Sequence, residues 1–177
     1  MKCLVIISLT LLGFGFTYSD DGVPMFGKRL IANDPLVTFN GILNETRKDC
    51  ILDYAYRFIG TPYKYTGITP KGFDCSGFVN FVFTHHNIMV PRTSRDMGNF
   101  GRTIPLDSAR KGDIILFKGT NANSKVIGHA GIVTWGDGKD VQFIHSSSNR
   151  KHGGVIVSCF SDSPYYSKRF VKVVRVL

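Results

Sequence analysis

The sequence lacks a long apolar run and any low-complexity tract. Its uncharged apolar stretch at residues 4–16 is shorter than the roughly 20 residues that a membrane-spanning helix needs. With 43% hydrophobic residues and no biased tract, the 177-residue chain has the composition of a globular protein and not of a disordered one. We therefore expect one main folded domain without stable membrane insertion, and by default a monomer.

Clustered positive charge is also scarce, although basic residues are in excess. The 22 Lys and Arg residues outnumber the 13 Asp and Glu residues, which gives a formal charge of +9. They are scattered in short pairs such as Arg47-Lys48 and Lys168-Arg169, and no basic run is interleaved with aromatics as in nucleic-acid modules. We therefore predict no nucleic-acid partner, whereas a basic surface suits an anionic polymer.

The first 43 residues differ in texture from the rest. Met1-Lys2, the apolar stretch and the small residues Thr17 to Ser19 are typical of a secretory signal peptide. We predict cleavage after Ser19, hence export to the periplasm or the medium. Residues 20–43 mix prolines and glycines with short apolar pieces and are predicted to form an extended N-terminal arm, and residues 44–177 the domain.

Cysteine is sparse, and its number is informative. After removal of the signal peptide, Cys50, Cys75 and Cys159 remain. In an exported protein an odd count leaves at least one thiol outside any intramolecular disulfide. A Cys50–Cys159 disulfide is compatible with an oxidising compartment, but the sequence alone leaves that pairing open.

Cys75 lies where a loop turns into an apolar helix. Asp74 is a suitable N-cap, and the residues after Cys75 recur at helical spacing. The recurring apolar residues are Phe78, Val79, Val82 and Phe83. The thiol would face unpaired N–H groups and the positive end of the helix dipole, so we expect a lowered pKa. A lone cysteine of this kind is more often a buried structural residue, and the rest of the chain must decide.

Two histidines flank a predicted β-hairpin further along. His129 begins one strand and His145 ends the next. Their side chains share a face only if the connecting loop has an odd number of residues, such as Gly136 to Gly138, or if a strand carries a bulge. A two-residue turn at Asp137-Gly138 would put the histidines on opposite faces.

Together, one cysteine at a helix start and two strand histidines indicate nucleophilic catalysis. The thiol attacks, one imidazole takes and returns the proton, and a second polar group orients that imidazole. Either histidine alone is more often a strand residue bonded to backbone. Metal binding is the rival use of these residues, but it lacks a close-spaced ligand pair and a fourth ligand. We therefore predict no metal or other cofactor.

The order of helices and strands predicts the fold class. Two helices at 44–59 and 74–87 and a short third through Met97 precede the strands. The strands are expected at 113–117, 128–135, 141–147, 155–160 and 170–176. Helices first and strands afterwards indicate an α+β fold in which the helices pack on a central antiparallel sheet.

Six short motifs resemble the NlpC family of cell-wall cysteine peptidases, which have a pared-down papain-like fold. They run in the family's order across roughly residues 45–177, and it is their combination that is specific. The motifs are Gly60-Thr61-Pro62-Tyr63-Lys64-Tyr65, Phe73-Asp74-Cys75-Ser76-Gly77-Phe78-Val79, Pro91-Arg92, Lys111-Gly112-Asp113-Ile114, His129-Ala130-Gly131-Ile132-Val133 and Phe143-Ile144-His145-Ser146.

The resemblance implies a role for each catalytic residue. Cys75 would be the nucleophile, His129 its general base and His145 the orienting third member, while Tyr63 and the Cys75 N–H would face the oxyanion. Four residues would hold the substrate peptide, namely Asp74, Ser76, Tyr65 and Arg92. One departure is Thr66, where many relatives have glycine.

The implied reaction is hydrolysis of amide bonds in peptidoglycan stem peptides or cross-links through a thioester. Without an additional recognition domain, the cross-link or intact wall is slightly favoured over the D-glutamyl–diamino-acid bond within a stem. Two alternatives stay open: a non-catalytic wall-binding protein, and an acyl or amide hydrolase or transferase that uses the same triad on another substrate. A housekeeping enzyme and an antibacterial toxin would share this chemistry.

Overall fold

The computed structural model describes residues 35–120, 123–149, 153–162 and 164–177. The predicted signal peptide at 1–19, and the predicted arm up to residue 34, lie outside the described residues. Residues 44–177 form one compact unit. Within the described ranges, no helix is long and apolar enough to cross a membrane.

Four helices and eight strands make up the described chain. The helices are α1 Pro35–Tyr56, α2 Cys75–His85, α3 Ser94–Met97 and α4 Pro164–Ser167. The strands are β1 Ile68–Thr69, β2 Gly72–Phe73, β3 Arg102–Ile104, β4 Ile114–Lys118, β5 Ile127–Gly136, β6 Val141–Ser147, β7 Gly154–Cys159 and β8 Phe170–Arg175. A single 3-10 turn, Leu106–Ser108, separates β3 from β4.

The first helix corrects one prediction. We expected an extended segment to residue 43 and an N-cap at Asn44, but α1 begins at Pro35. Proline is well suited to the first turn of a helix, where its missing N–H costs nothing, and Gly41 inside the helix is tolerated. Pro35 and Gly41 thus lie within a helix, where the sequence pattern predicts an extended segment.

The central sheet confirms the predicted α+β class. Six antiparallel strands lie in the order β3-β8-β4-β5-β6-β7. The five predicted strands are all present, whereas β3, the small β1–β2 hairpin and α4 were not predicted. The sheet inserts the C-terminal strand β8 between β3 and β4, a long-range pairing that no local pattern specifies.

Alternate residues of the sheet face two different cores. On β4, Ile114 and Leu116 belong to the core that includes α1 and α2, and Ile115 and Phe117 belong to the core on the other face. Such period-2 alternation is what a strand buried on both faces requires. Both catalytic histidines predicted from the sequence share the second face, since His129 pairs with Phe117 and His145 lies two residues from Phe143.

A β-bulge brings the two histidines onto that common face. The β5–β6 turn contains four residues, 137–140. Next to this turn, Gly136 pairs with Val141 and Trp135 with Gln142. Pairing then shifts to Val133 with Phe143, so Thr134 is an extra residue on β5. Because the turn has an even number of residues, the two histidines share a face only through the bulge. This confirms the second of the two predicted conditions, a bulged strand.

A buried ion pair ties the ends of the sheet's middle strands together. Asp113 is 1% exposed and receives two bonds from Arg175 on β8, Nε to Oδ1 at 2.8 Å and Nη2 to Oδ2 at 2.7 Å. Its carboxylate also accepts from the backbone N–H of Arg110 at 2.8 Å. This bidentate arrangement gives the Lys111-Gly112-Asp113-Ile114 motif a structural role.

Candidate active site

The nucleophile predicted from the sequence is the first residue of α2. Asp74 is the N-cap, and its Oδ1 accepts a hydrogen bond from the backbone N–H of Gly77 at 2.6 Å. Cys75 itself is 9% exposed. The cap satisfies one of the N–H groups that a helix start leaves unpaired, and so fixes the turn that carries the thiol.

The tyrosine-containing loop at 61–73 packs closely against this turn. The Asp74 N–H donates to the Gly67 carbonyl at 3.0 Å. A Cβ on Gly77 would collide with the same carbonyl oxygen, so only glycine fits there. The glycine in the Cys75-Ser76-Gly77 motif is thus required by the close approach of loop and helix.

The surroundings of the thiol correct the expected pKa. The Cys75 sulfur lies 3.9 Å from the Gly128 carbonyl oxygen on β5 and receives a backbone hydrogen bond from Ala130. Burial raises the pKa of Cys75, the Asp74 charge raises it further, and the Ala130 N–H opposes both. The prediction of a lowered pKa is wrong because β5 covers the thiol, which the sequence did not reveal.

The two histidines form a direct hydrogen bond. His129 Nε2 and His145 Nδ1 are 2.9 Å apart, with the rings nearly perpendicular at 89°. Gly131 lies between them on the same face, where a Cβ would come 3.1 Å from the Cβ of His145. His129 follows Gly128, the residue whose carbonyl meets the thiol, so this pair adjoins the nucleophile.

The far side of His145 contacts two hydroxyl groups that sequence analysis missed. His145 is 1% exposed, and its Nε2 lies 3.0 Å from Ser158 Oγ on β7 and 3.2 Å from Tyr166 Oη on α4. Ser158 could have been found from strand register, because it is two residues from Ile156, the partner of His145. Tyr166 gave no signal, since the short helix α4 was not predicted.

Burial keeps both imidazoles neutral. It lowers the pKa of His129 to about 4. Burial also lowers the pKa of His145 well below its usual value, and the neighbouring His129 charge adds to this effect. At neutral pH both rings therefore lack a positive charge, and His129 has a lone pair with which to accept a proton.

Tyr63 lies close in the fold to the turn that carries Cys75. Its backbone forms a bridge with Phe73, two residues before Cys75. Burial raises the pKa of the Tyr63 hydroxyl, as does Cys75 when it is ionised, and the Asp74 charge raises it further. The hydroxyl thus keeps its proton at neutral pH and can donate a hydrogen bond.

Three of the four predicted substrate contacts form one polar network. Arg92 Nη2 lies 2.6 Å from Asp74 Oδ2, and Arg92 Nη1 lies 3.1 Å from Asp74 Oδ1 and 3.0 Å from Ser76 Oγ. Asp74 is buried, whereas the side chain of Arg92 is 39% exposed and can still meet a ligand. Tyr65, the fourth, is 81% exposed and stands outside this network.

A cleft of about 640 Å³ opens onto the histidine pair. Its walls come from β5, β6, α4 and the described parts of the β4–β5 and β6–β7 connections, and the described side chains that line it are neutral. Besides the two histidines, its lining includes Thr120, Ser147, Ser148, Asn149, Tyr165 and Tyr166. Among the described residues, no group of three His, Cys, Asp or Glu side chains is arranged to hold a metal ion.

Cys50 and Cys159 are not joined by a disulfide in the described chain. Cys159 Sγ donates to Asp140 Oδ2 at 2.8 Å, and no disulfide joins it to Cys50. The two residues belong to different elements, α1 and the end of β7. The Cys50–Cys159 disulfide that the sequence left open is therefore not formed in this structure.

Comparison with known proteins decides the family. The NlpC/P60 family matches residues 60–175 of the chain. This chain belongs to the NlpC/P60 family. The match contains Cys75, both histidines and Tyr63, and it confirms the resemblance drawn from the six motifs. The prediction of a cysteine peptidase agrees with homologues that are named endopeptidases and peptidoglycan hydrolases.

Relatives of this NlpC/P60 domain include longer proteins. A gamma-DL-glutamyl hydrolase of Bacillus subtilis is 32% identical over 133 residues, which are 75% of this chain and 30% of that protein. The murein DD-endopeptidase MepS/murein LD-carboxypeptidase of Escherichia coli K12 is 32% identical over 139 residues, 78% of this chain and 68% of that protein. The crystal structure of an NlpC/P60 protein from Bacillus cereus matches with a TM-score of 0.63 at 28% identity, covering 72% of this chain and 39% of that one. This chain thus spans less than half the length of either Bacillus relative.

Proposed function

We propose that this chain is an exported cysteine endopeptidase that hydrolyses amide bonds in peptidoglycan stem peptides or cross-links. The observation that carries the proposal is that the thiol contacts the backbone of both neighbours of His129, Gly128 and Ala130. The His129 ring is in turn hydrogen-bonded to His145, Nε2 to Nδ1 at 2.9 Å. This arrangement leaves Nδ1 of His129 for the thiol proton.

The proposed reaction runs through a thioester. The Cys75 sulfur attacks the amide carbon as His129 takes the thiol proton, which forms a C–S bond and a tetrahedral oxyanion. The Tyr63 hydroxyl and the Cys75 N–H donate to that oxygen. The C–N bond then breaks, and the amine leaves with the proton from His129. A water that gives its proton to His129 attacks the thioester, and the returned proton restores the thiol.

The neutral state of both partners defines the first step. Burial raises the pKa of Cys75 and lowers that of His129 to about 4, so a thiol and an uncharged imidazole predominate at pH 7. We infer that proton transfer accompanies the attack and does not precede it. The enzyme would act by general base catalysis and not through a stable thiolate.

The substrate follows from the family and from the charge. The E. coli relative is named for murein, and a chain of +9 is suited to an anionic wall polymer. Asp74, Ser76 and Arg92, with exposed Tyr65, would contact the stem peptide. The two relatives are named for different bonds, γ-glutamyl and DD, and we favour the cross-link slightly. The predicted signal peptide would export the chain, which N-terminal sequencing of the secreted protein would test at Ser19.

Digestion of purified peptidoglycan tests the proposal. Wild type, Cys75→Ala and Cys159→Ala are incubated under reducing conditions, and the released fragments are identified by mass spectrometry. We expect release by wild type and by Cys159→Ala, which lacks a thiol away from the site, and none by Cys75→Ala. The fragment masses identify the bond that the enzyme cleaves. If the folded wild type releases nothing, the proposal is wrong, and a binding protein or another acyl substrate replaces it.

A further inference from the structure

We propose that Ser158 and Tyr166 are positioning residues that fix the tautomer of His145 and thereby keep His129 competent as a base. The inference rests on the proposed function for the direction of proton transfer. Its geometric basis is the hydrogen-bonded triangle formed by His145 Nε2, Ser158 Oγ and Tyr166 Oη, with sides of 3.0, 3.1 and 3.2 Å.

A histidine as third member of a triad raises a problem that an amide or carboxylate does not. A neutral imidazole carries its proton on either nitrogen. If His145 held it on Nδ1, it would donate to His129 Nε2, and His129 would then carry its own proton on Nδ1, facing the thiol. That arrangement has no base. Catalysis requires the proton of His145 on Nε2, where it needs an acceptor.

Each of the two hydroxyl oxygens has lone pairs that can accept this bond inside the protein. His145 is 1% exposed, so an N–H at Nε2 without a partner would incur the cost of a buried unsatisfied donor. Tyr166 is held in place by its ring, which packs against Phe143 and Phe117 at centroid distances of 5.0 and 5.4 Å. Its hydroxyl is thereby directed at His145 and Ser158.

The absence of charge in these groups also matters for where the proton goes. A carboxylate beside Nε2 would favour a charged His145, and the two rings would then compete for the thiol proton. Hydroxyl groups accept a hydrogen bond without stabilising a full charge on His145. Among the groups that contact His145 in the described chain, only His129 and Tyr166 titrate, and burial raises the pKa of Tyr166. The proton therefore stays on His129.

Either hydroxyl alone can serve as acceptor, which makes the expected effects non-additive. Ser158→Ala and Tyr166→Phe should each lower kcat by less than about threefold, whereas the double variant should lose roughly 10- to 100-fold, the range found when a partner that orients a functional histidine is removed. Ser158→Thr in the Tyr166→Phe background keeps the hydroxyl group that the double variant lacks, and its kcat should stay near the wild-type value. The matched control, Ser161→Ala with Tyr56→Phe, removes the same groups away from the site and should leave kcat unchanged.

Two readouts separate positioning from a merely structural role. In the double variant the acid limb of the plot of kcat against pH should move to lower pH. His145 no longer accepts a hydrogen bond from protonated His129, so the imidazolium form of His129 is destabilised. KM should not change. A lower plateau with an unmoved limb would overturn the inference, and so would additive single and double effects.

Nitrogen-15 NMR of histidine-labelled full-length protein reads the tautomer directly. We expect His145 to carry its proton on Nε2 in the wild type and to gain the Nδ1–H form in the double variant. An Nδ1–H ring in the wild type refutes the inference even if the double variant fails to fold. A chain without peptidase activity whose His145 carries the proton on Nε2 would refute the proposed function and leave this inference standing.

Discussion

The candidate site has two halves held together by opposite means. The helix half comprises Asp74, Cys75, Ser76 and Arg92, and the sheet half comprises His129, His145, Ser158 and Tyr166. Charge orders the helix half, where Arg92 binds both carboxylate oxygens of Asp74 and Asp74 caps α2. Neutral hydrogen bonds order the sheet half, which runs across β5, β6, β7 and α4.

The difference follows from what each half must do. The helix half fixes the position of a sulfur atom, and the Asp74–Arg92 ion pair does so although the Asp74 charge raises the pKa of Cys75. The sheet half moves a proton, and a nearby fixed charge would alter the proton affinity of the base. Charges are therefore used to hold the nucleophile and are kept away from the base.

The largest expected effect comes from removing the base itself. His129→Ala should lower kcat about as much as Cys75→Ala, on the order of 10⁴- to 10⁶-fold, because nucleophile and base act as a unit. His145→Ala should leave more activity, with a loss of roughly 10²- to 10⁴-fold, since it acts by orienting His129. Rates of stem-peptide release measure both.

The control for these variants is His85→Ala. His85 stacks on Tyr54 with centroids 3.7 Å apart, at the opposite end of α2 from Cys75, and its loss should not change the rate. Equal and mild losses from His129→Ala and His145→Ala would contradict the division of roles between them.

A smaller effect, on the free energy of unfolding, is expected when the pH is lowered, and it should come from the histidines of the sheet half. The pKa of His129 is about 4 in the folded chain and about 6.5 when unfolded. Between these values the unfolded chain binds the extra proton, so the free energy of unfolding falls as the pH is lowered. From pH 7 to 5 the loss should be about 2 kcal/mol for His129 alone. Urea unfolding at several pH values measures it.

His129→Asn/His145→Asn isolates this contribution. Burial also lowers the pKa of His86, so its protonation destabilises the folded chain over the same pH range. This contribution remains in the double variant. The carboxyl pKa values of Glu45 and Asp140 are lowered as well, so their contribution is lost below about pH 4.5 and lies outside the measured range. A double variant as pH-sensitive as wild type would show that the two rings are not buried uncharged.

The smallest effect should come from removing the charge of the helix half. Asp74→Asn keeps an N-cap oxygen but weakens the bond with Arg92, whose side chain is 39% exposed. We expect a stability loss of about 1 kcal/mol or less, most of it absent in high salt. The Asp74 charge raises the pKa of Cys75, so the variant should also alkylate with iodoacetamide from a lower pH.

Asp74→Ala is the comparison for this prediction. It removes the cap together with the charge, and should cost roughly 1 kcal/mol more. If Asp74→Asn and Asp74→Ala are equally destabilising at every salt concentration, the cap contributes nothing and charge alone orders this half.

Predictability from sequence differs between the same two halves. Apart from Arg92 the helix half is contiguous, so the N-cap, the helix and the required glycine could all be predicted from residues 73–83. The histidine pair could be predicted because hairpin geometry is local. Ser158 could be predicted only from the β6–β7 register, and Tyr166 could not be predicted, since α4 approaches His145 through long-range packing. The error in the Cys75 pKa has the same origin, because β5 covers the thiol from more than fifty residues away.

The cover over Cys75 has a consequence for the lifetime of the enzyme. Peroxides and disulfides react with thiolates, and a buried sulfur that keeps its proton presents little of that form. In the exported state that we propose, no thioredoxin system would reduce an oxidised nucleophile, and such a sulfur would persist longer than an exposed, ionised one. The same burial that makes attack depend on His129 would thus act as protection against oxidative inactivation between catalytic events.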